Sequence, residues 1–388
     1  MPARCLPTAA SVAGLCLLLC GCATLRHENT APYIERDIRA AQAGLGALVF
    51  DSHVAQPGRD ILLLEWLGRL LRGDRAWNAD TDFTQGTSFY TPRKLEELTP
   101  EALARGPCTG APPQPPLRIV KAETGGASRG FLGKDASGRQ YMVKVDDPNY
   151  PELASGASRI AGRIYWALGY NVPCEHIVTI AGTGDPRFDG RRGVATEFIA
   201  DARGYFDFDW FRYRREVRAL KLAAAWVNDT DRQSRNTLVT VADGRARYWL
   251  IDFNGALGCW QGWPKEPWRG HRNWGDPAWA VLTVVSFGAL QPEPKHELPV
   301  VSPAVGRFHA EFAPERWQAQ FRNTAFDRMT EDDGEWIAAR IRQLDRPRIE
   351  AIVTAAQYSN PADAACVVET LLRRRALILD EYDDGPEP

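Results

Sequence analysis

Residues 211–253 constrain the architecture more than any other part of the chain. Residues 211–227 carry helical periodicity and run into the polar segment Asn228-Asp229-Thr230-Asp231. Residues 236–241 and 248–253 read as strands on either side of Asp243-Gly244, a hairpin signal. With Asp243-Gly244-Arg245 as the loop, Asn236 lies directly across from Asp252. A two-residue loop slips the register by one and sets Asn236 opposite Ile251. Either way an amide and a carboxylate start at the same end of one ribbon. Asp231 lies five residues before Asn236, at the junction of helix and strand.

The preceding segment is strand-rich. Residues 117–123 form a strand candidate, followed by a loop holding Gly125, Gly126 and Gly130. Residues 131–135 and 139–145 read as a hairpin around Ala136-Ser137-Gly138, with Lys144 between Val143 and Val145. Residues 151–168 place Leu153, Ala157, Ile160, Ala161, Ile164 and Leu168 on one helical stripe, and Gly169 suits the stop. Residues 175–180 and 193–199 add two strands. Beyond the hairpin, residues 334–344, 346–356 and 361–380 read as helices. Upstream, 61–71 is an apolar helical stretch expected to pack on the main domain, 96–105 a short helix, and 112–116 a Pro-rich linker.

Residues 1–22 stand apart as an export signal. Arg4 supplies the positive start and 9–19 an apolar run too short to span a bilayer, which takes about 20 residues. The run ends in Leu19-Cys20-Gly21-Cys22, which resembles the bacterial lipobox; the resemblance implies acylation of Cys22 and a membrane anchor. Ala23, where an Asp would favour inner-membrane retention, implies the outer membrane, facing the periplasm.

The chain has 388 residues, with 47 basic side chains against 49 acidic. That balance argues against a nucleic-acid binder. Cys108, Cys174, Cys259 and Cys366 form no C-x-x-C pair, so zinc is not expected, and three disulfide pairings stay open.

Three pieces in order carry chemistry: Lys144 on a strand after a Gly-rich loop, Asp231 with Asn236, and Asp252 after an apolar strand. Phosphoryl transfer needs a cation on phosphates, an acid that orients a hydroxyl, and hard oxygen ligands for Mg²⁺. Asn228-Asp229-Thr230-Asp231-Arg232-Gln233-Ser234-Arg235-Asn236 and Ile251-Asp252-Phe253-Asn254-Gly255 resemble the catalytic half of the protein-kinase-like superfamily, closest to its HipA-like and phosphatidylinositol 3/4-kinase-like branch. The resemblance implies an α+β, two-lobed fold, with a small β-rich N-lobe holding one helix and a larger helical C-lobe. It divides the chain into a signal (1–21), an extension and linker (22–116), an N-lobe (117–200), a C-lobe (201–380) and an acidic tail (381–388). It implies ATP and Mg²⁺ as cofactors and an unidentified hydroxyl-bearing acceptor. Asp231 would be the catalytic base, and Asn236 and Asp252 the metal ligands. Lys144, Gly125, Gly126 and Gly130 would serve the phosphates, and the segment beginning at Glu197 would touch adenine.

Two features depart from that pattern. Asn254 stands where relatives often carry Gly, and Ser158 stands where they tend to carry the acid that pairs with the strand lysine; Glu152 is the acid available on that helix. A pseudokinase that binds nucleotide without catalysis and a structural envelope lipoprotein are the competing readings. Residues 126–130 also match the G-x-S-x-G elbow of α/β-hydrolases, but that elbow needs a following helix, and a strand is expected here. Trp260, Trp263, Trp268, Trp274 and Trp279 are expected mainly to pack a long loop, with Lys265, Arg269 and Arg272 suiting an acidic acceptor.

Overall fold

The computed structural model describes residues 74–383 except 82, 124–128, 275–276 and 290–297, together with 42, 43, 46 and 48. The expected signal and anchor, the apolar stretch 61–71, Gly125, Gly126 and the end of the acidic tail lie outside the described residues. Among the described residues, no helix is long and apolar enough to cross a membrane.

The chain is a mixed α/β structure with a sheet region followed by helices. Strands β1 (Arg118–Ala122), β2 (Gly130–Lys134), β3 (Gln140–Val145), β4 (Glu175–Thr179) and β5 (Arg192–Glu197) form one antiparallel sheet in the order β1-β2-β3-β5-β4. The alternation along β3 buries Tyr141, Val143 and Val145 on one face, which leaves Lys144 on the other. Gly130 opens a strand and pairs with Lys144, so no helix follows the G-x-S-x-G match.

The short helix expected over 96–105 divides in two. Thr99 accepts a hydrogen bond from the Ala102 amide and Pro100 occupies the first turn of α1 (Pro100–Arg105), so the preceding turn cannot run through. Helix α2 (Leu153–Ala167) is buried on nearly every side. It joins the main apolar core through Ile160 and Ile164, alongside α3 (Arg215–Trp226), α4 (Glu331–Ile341), α5 (Arg346–Thr354) and α6 (Pro361–Tyr382). Residues ahead of the Pro-rich segment pack into that same core, including Phe89, Leu98 and Leu103. A smaller cluster around Phe131, Tyr141 and Val143 serves the sheet alone. Cys108 and Cys174 form a disulfide, while Cys259 and Cys366 are free.

Candidate phosphotransfer site

The hairpin consists of β6 (Thr237–Ala242) and β7 (Arg245–Leu250), closed by Asp243 and Gly244, both at positive φ. This is the two-residue loop, and its register pairs Thr237 with Leu250. Asn236 therefore faces Ile251, whose amide donates to the Asn236 carbonyl at 3.0 Å. The second strand ends three residues earlier than its apolar pattern suggests. Asp252 has φ +57°, which removes it from the ladder and re-aims its carboxylate.

A buried guanidinium sets the geometry. After α3 the chain turns at Asn228, also at positive φ, and enters the loop Asp229–Asn236. Arg232 is fully buried and donates to Asp229 Oδ2 at 3.1 Å, to the carbonyls of Asn236 and Ile251, and to the Asp252 carbonyl at 2.9 Å. One cation thus ties the loop to the exit of the hairpin. Tyr165 of α2 donates its hydroxyl to the same Asp229 oxygen at 2.9 Å.

Within that frame, Asn236 Nδ2 donates to the Asp231 carbonyl at 2.8 Å and to Asp231 Oδ2 at 3.1 Å. Burial, reinforced by the charges of Asp252 and Asp229, pushes the Asp231 carboxyl up to about 6. Gly255 must be small here, because a Cβ would stand 2.7 Å from Asp231 Cβ. Lys144 Nζ reaches across from β3 and donates to Asp252 Oδ2 at 2.5 Å. Burial works against the Lys144 charge, but Asp252, Glu123 and Asp231 together raise its pKa. The other Asp252 oxygen, Oδ1, is buried with no hydrogen-bond partner among the described residues.

Lys144, Asp231, Asn236 and Asp252 thus converge from three separate stretches of sequence. Gly130 joins them: it lies across from Lys144, and a Cβ there would meet Glu123 Oε2 at 2.6 Å and the Val143 carbonyl at 2.7 Å. Glu152 does not pair with Lys144. It occupies the N-cap of α2 at φ +69°, and its carboxylate accepts from the Ser359 amide at 3.0 Å. Ser158 donates instead to Glu175 Oε1 of β4 at 2.7 Å. Glu197 lines a separate cavity with Trp166, Trp249 and Arg247, to which none of the four converging residues contributes.

Sequence reasoning missed Arg232, Asp229 and Glu123. Arg232 left no distinguishing signal, since Arg235 stands in the same loop and is only half-buried. The Trp-rich segment is divided in use. The Arg269 guanidinium lies 3.5 Å over Trp260 and 4.6 Å over Trp268, whereas Trp263 and Trp274 are exposed.

No protein-family model matches the chain, and no curated protein matches it in sequence. Among solved structures it is similar to the Helicobacter pylori proinflammatory kinase CtkA, with 14% identity, a TM-score of 0.40, and coverage of 69% of this chain and 94% of that one. It is also similar to HipA of Shewanella oneidensis MR-1, from a toxin–antitoxin complex with HipB and operator DNA. There the identity is 10%, the TM-score 0.35, and the coverage 76% of this chain and 74% of that one. Likeness at this level is coarse, so the chemistry has to come from the chain's own residues.

Proposed function

We propose that the chain is a kinase-like phosphotransferase that moves a phosphoryl group from Mg²⁺-bound ATP to a hydroxyl acceptor. The observation that carries this is the meeting of Lys144 with Asp252 at 2.5 Å beside the bonded pair Asp231 and Asn236, with Asp252 Oδ1 left without a partner. A buried carboxylate oxygen without a hydrogen bond costs about 1–3 kcal/mol or more, a cost that a bound cation removes. The donor set fits Mg²⁺, which prefers hard carboxylate and amide oxygens and, when bound, neutralises charge on the phosphates.

In this reading Asp252 and Asn236 hold the metal, and Lys144 exchanges its contact with Asp252 for the nucleotide phosphates. Asp231 orients the acceptor hydroxyl and takes its proton; its raised pKa makes it a stronger base than an exposed aspartate while leaving it largely ionised at pH 7. Gly130, with Gly125 and Gly126 by the sequence resemblance, would serve the phosphates; Glu197, which lines a separate cavity, takes no role in this reading. The sheet region then forms the smaller lobe and the helical region the larger. Arg232 is a positioning residue.

A second reading, nucleotide binding without transfer, has one observation in its favour. Helix α2 offers Lys144 no carboxylate, because Glu152 is committed to Ser359 and Ser158 to Glu175. Phosphate release from Mg²⁺-ATP by the full chain, with water as acceptor, tests both. Phosphotransfer expects slow release by wild type that Lys144→Met and Asp231→Asn abolish. Binding without release supports the second reading, and release unchanged in Lys144→Met contradicts the first.

The same proposal places the protein in the bacterial envelope, anchored through acylated Cys22 and facing the periplasm. What supports it is the sequence of residues 4–22. Cys22→Ser should abolish incorporation of labelled fatty acid.

A further inference from the structure

A cavity of about 730 Å³ lies against Asn228, where the Asn228–Asp231 turn begins, between the Trp-rich segment and residues 298–318. Its volume is that of a small-ligand site. Its walls carry Lys265, Arg269, Arg307, Arg316 and Arg374, and among the described residues Glu266 and Glu311 line it as well. Three of the cations are buried: Lys265 is 1% exposed, Arg374 2% and Arg269 8%. Most of their protein partners are neutral. Lys265 Nζ donates to the carbonyls of Asn228 and Leu257. Arg374 donates to the carbonyls of Trp226, His309 and Ala225. Arg307 donates to those of Leu298 and Lys265. Two of the cations have a carboxylate: Arg269 that of Glu266 at 2.5 Å, and Arg316 that of Glu315 at 3.4 Å.

Carbonyl dipoles solvate a cation but do not neutralise it, and a buried charge without a counter-charge is costly. Burial lowers Lys265 to about 7 against the opposing charge of Asp229, with Arg269 and Arg374 adding repulsion, and burial lowers Arg374 to about 9 against that of Glu311. A negative group in the cavity would add to the opposing charge that Glu266, Glu311 and Glu315 supply.

We infer that this cavity binds an oxyanion, a phosphate or carboxylate group, on Lys265, Arg269, Arg307 and Arg316. Binding rests on the cavity alone. Its use rests on the phosphotransfer reading: Asn228 lines the cavity, and Arg269 donates to Gln320, whose backbone amide donates to the carbonyl of Thr230 next to Asp231, so an acidic group held here would bring an acceptor's hydroxyl toward the base. The acceptor class is then an acidic molecule bearing a hydroxyl.

Inorganic phosphate is the first probe, titrated into the full chain in detergent without nucleotide and read as a rise in Tm against chloride at equal ionic strength. Wild type should be stabilised. Arg307→Gln should weaken phosphate binding by about tenfold, as expected for a charged hydrogen-bonding contact. Arg316→Gln, on the exposed rim and so compatible with folding, should weaken it by about threefold. Lys144→Met and Asp252→Ala should keep it, so a failed nucleotide site and a failed anion site give different results. A serine peptide with glutamates on both sides, compared with its lysine counterpart, separates the two sources of the anion. Displacement of the acidic peptide by phosphate assigns the cavity to the acceptor, and phosphate binding alone assigns it to a free anion. No phosphate-specific stabilisation of wild type, or stabilisation undiminished in Arg316→Gln, would overturn the inference.

Discussion

On one side of the Asn228–Asp231 turn, Glu123, Asp229, Asp231 and Asp252 gather around Lys144 and Arg232. In the cavity beside Asn228, five basic side chains face exposed Glu266 and Glu311, and Arg316 also pairs with Glu315. The two sides are satisfied differently. The acid-rich cluster is cross-linked by charged hydrogen bonds, Lys144 to Asp252 and Arg232 to Asp229. The basic wall leans mainly on carbonyls. Each cluster lies within the field of the other, since Lys265 feels Asp229 and Arg269 feels Asp231. An acid surplus that leaves an oxygen unpartnered calls for a metal cation. A basic surplus calls for an anion.

The largest expected effect breaks that comparison directly. Arg232→Met strands buried Asp229 and three carbonyls, so urea unfolding should show a loss of about 3–5 kcal/mol. Lys265→Met removes two hydrogen bonds to carbonyls but also a buried charge with no carboxylate hydrogen bond, and should cost no more than about 1–2 kcal/mol. Equal losses for the two variants would erase the distinction.

Next comes the pH dependence of Asp231. An acid whose folded pKa lies above its unfolded value of about 3.9 binds its proton more tightly when folded. Its stabilising effect is present below about 4 and is lost as pH rises through about 6. Asp231→Asn should therefore be more stable than wild type at pH 7.5, by on the order of 1–2 kcal/mol, and show no gain at pH 4. Turnover by this variant should fall about 10²–10⁴-fold. An equal gain at both pH values would contradict the raised pKa.

The smallest effect is on stability at the rim. Arg316→Gln should change unfolding free energy by less than about 0.5 kcal/mol, because the residue is exposed. A larger loss would mean that the rim is part of the structural core.

The converging residues were legible because each sits at a punctuation point: Lys144 within an alternating strand, Asp231 where a helix ends, Asn236 and Asp252 at the open end of a hairpin. Asp243-Gly244 allowed two registers, and the positive φ of both residues selected the shorter loop. What periodicity could not reveal was long-range pairing of polar groups. Glu152 and Ser158 looked like the places to seek a partner for Lys144, yet their bonds go to Ser359 and Glu175, which follow from how α2 seats against other elements. The disulfide between Cys108 and Cys174 depends equally on a tertiary approach that spacing does not encode. The basic cavity is assembled from residues 228, 265–271, 298–318 and 374, so in the sequence only Lys265 and Arg269 hinted at it.

Mg²⁺-dependent stabilisation by ATP of wild type, Asp231→Asn and Asp252→Ala tests the central claim most directly. Ligand at 100 times its Kd adds about 2.7 kcal/mol, a readily measured rise in Tm. Wild type and Asp231→Asn should both be stabilised by Mg²⁺-ATP and neither by ATP with chelator, while Asp252→Ala should lose the shift. A full Mg²⁺-dependent shift in Asp252→Ala, or none in wild type, would contradict the assignment of the acid-rich cluster as a metal–nucleotide site.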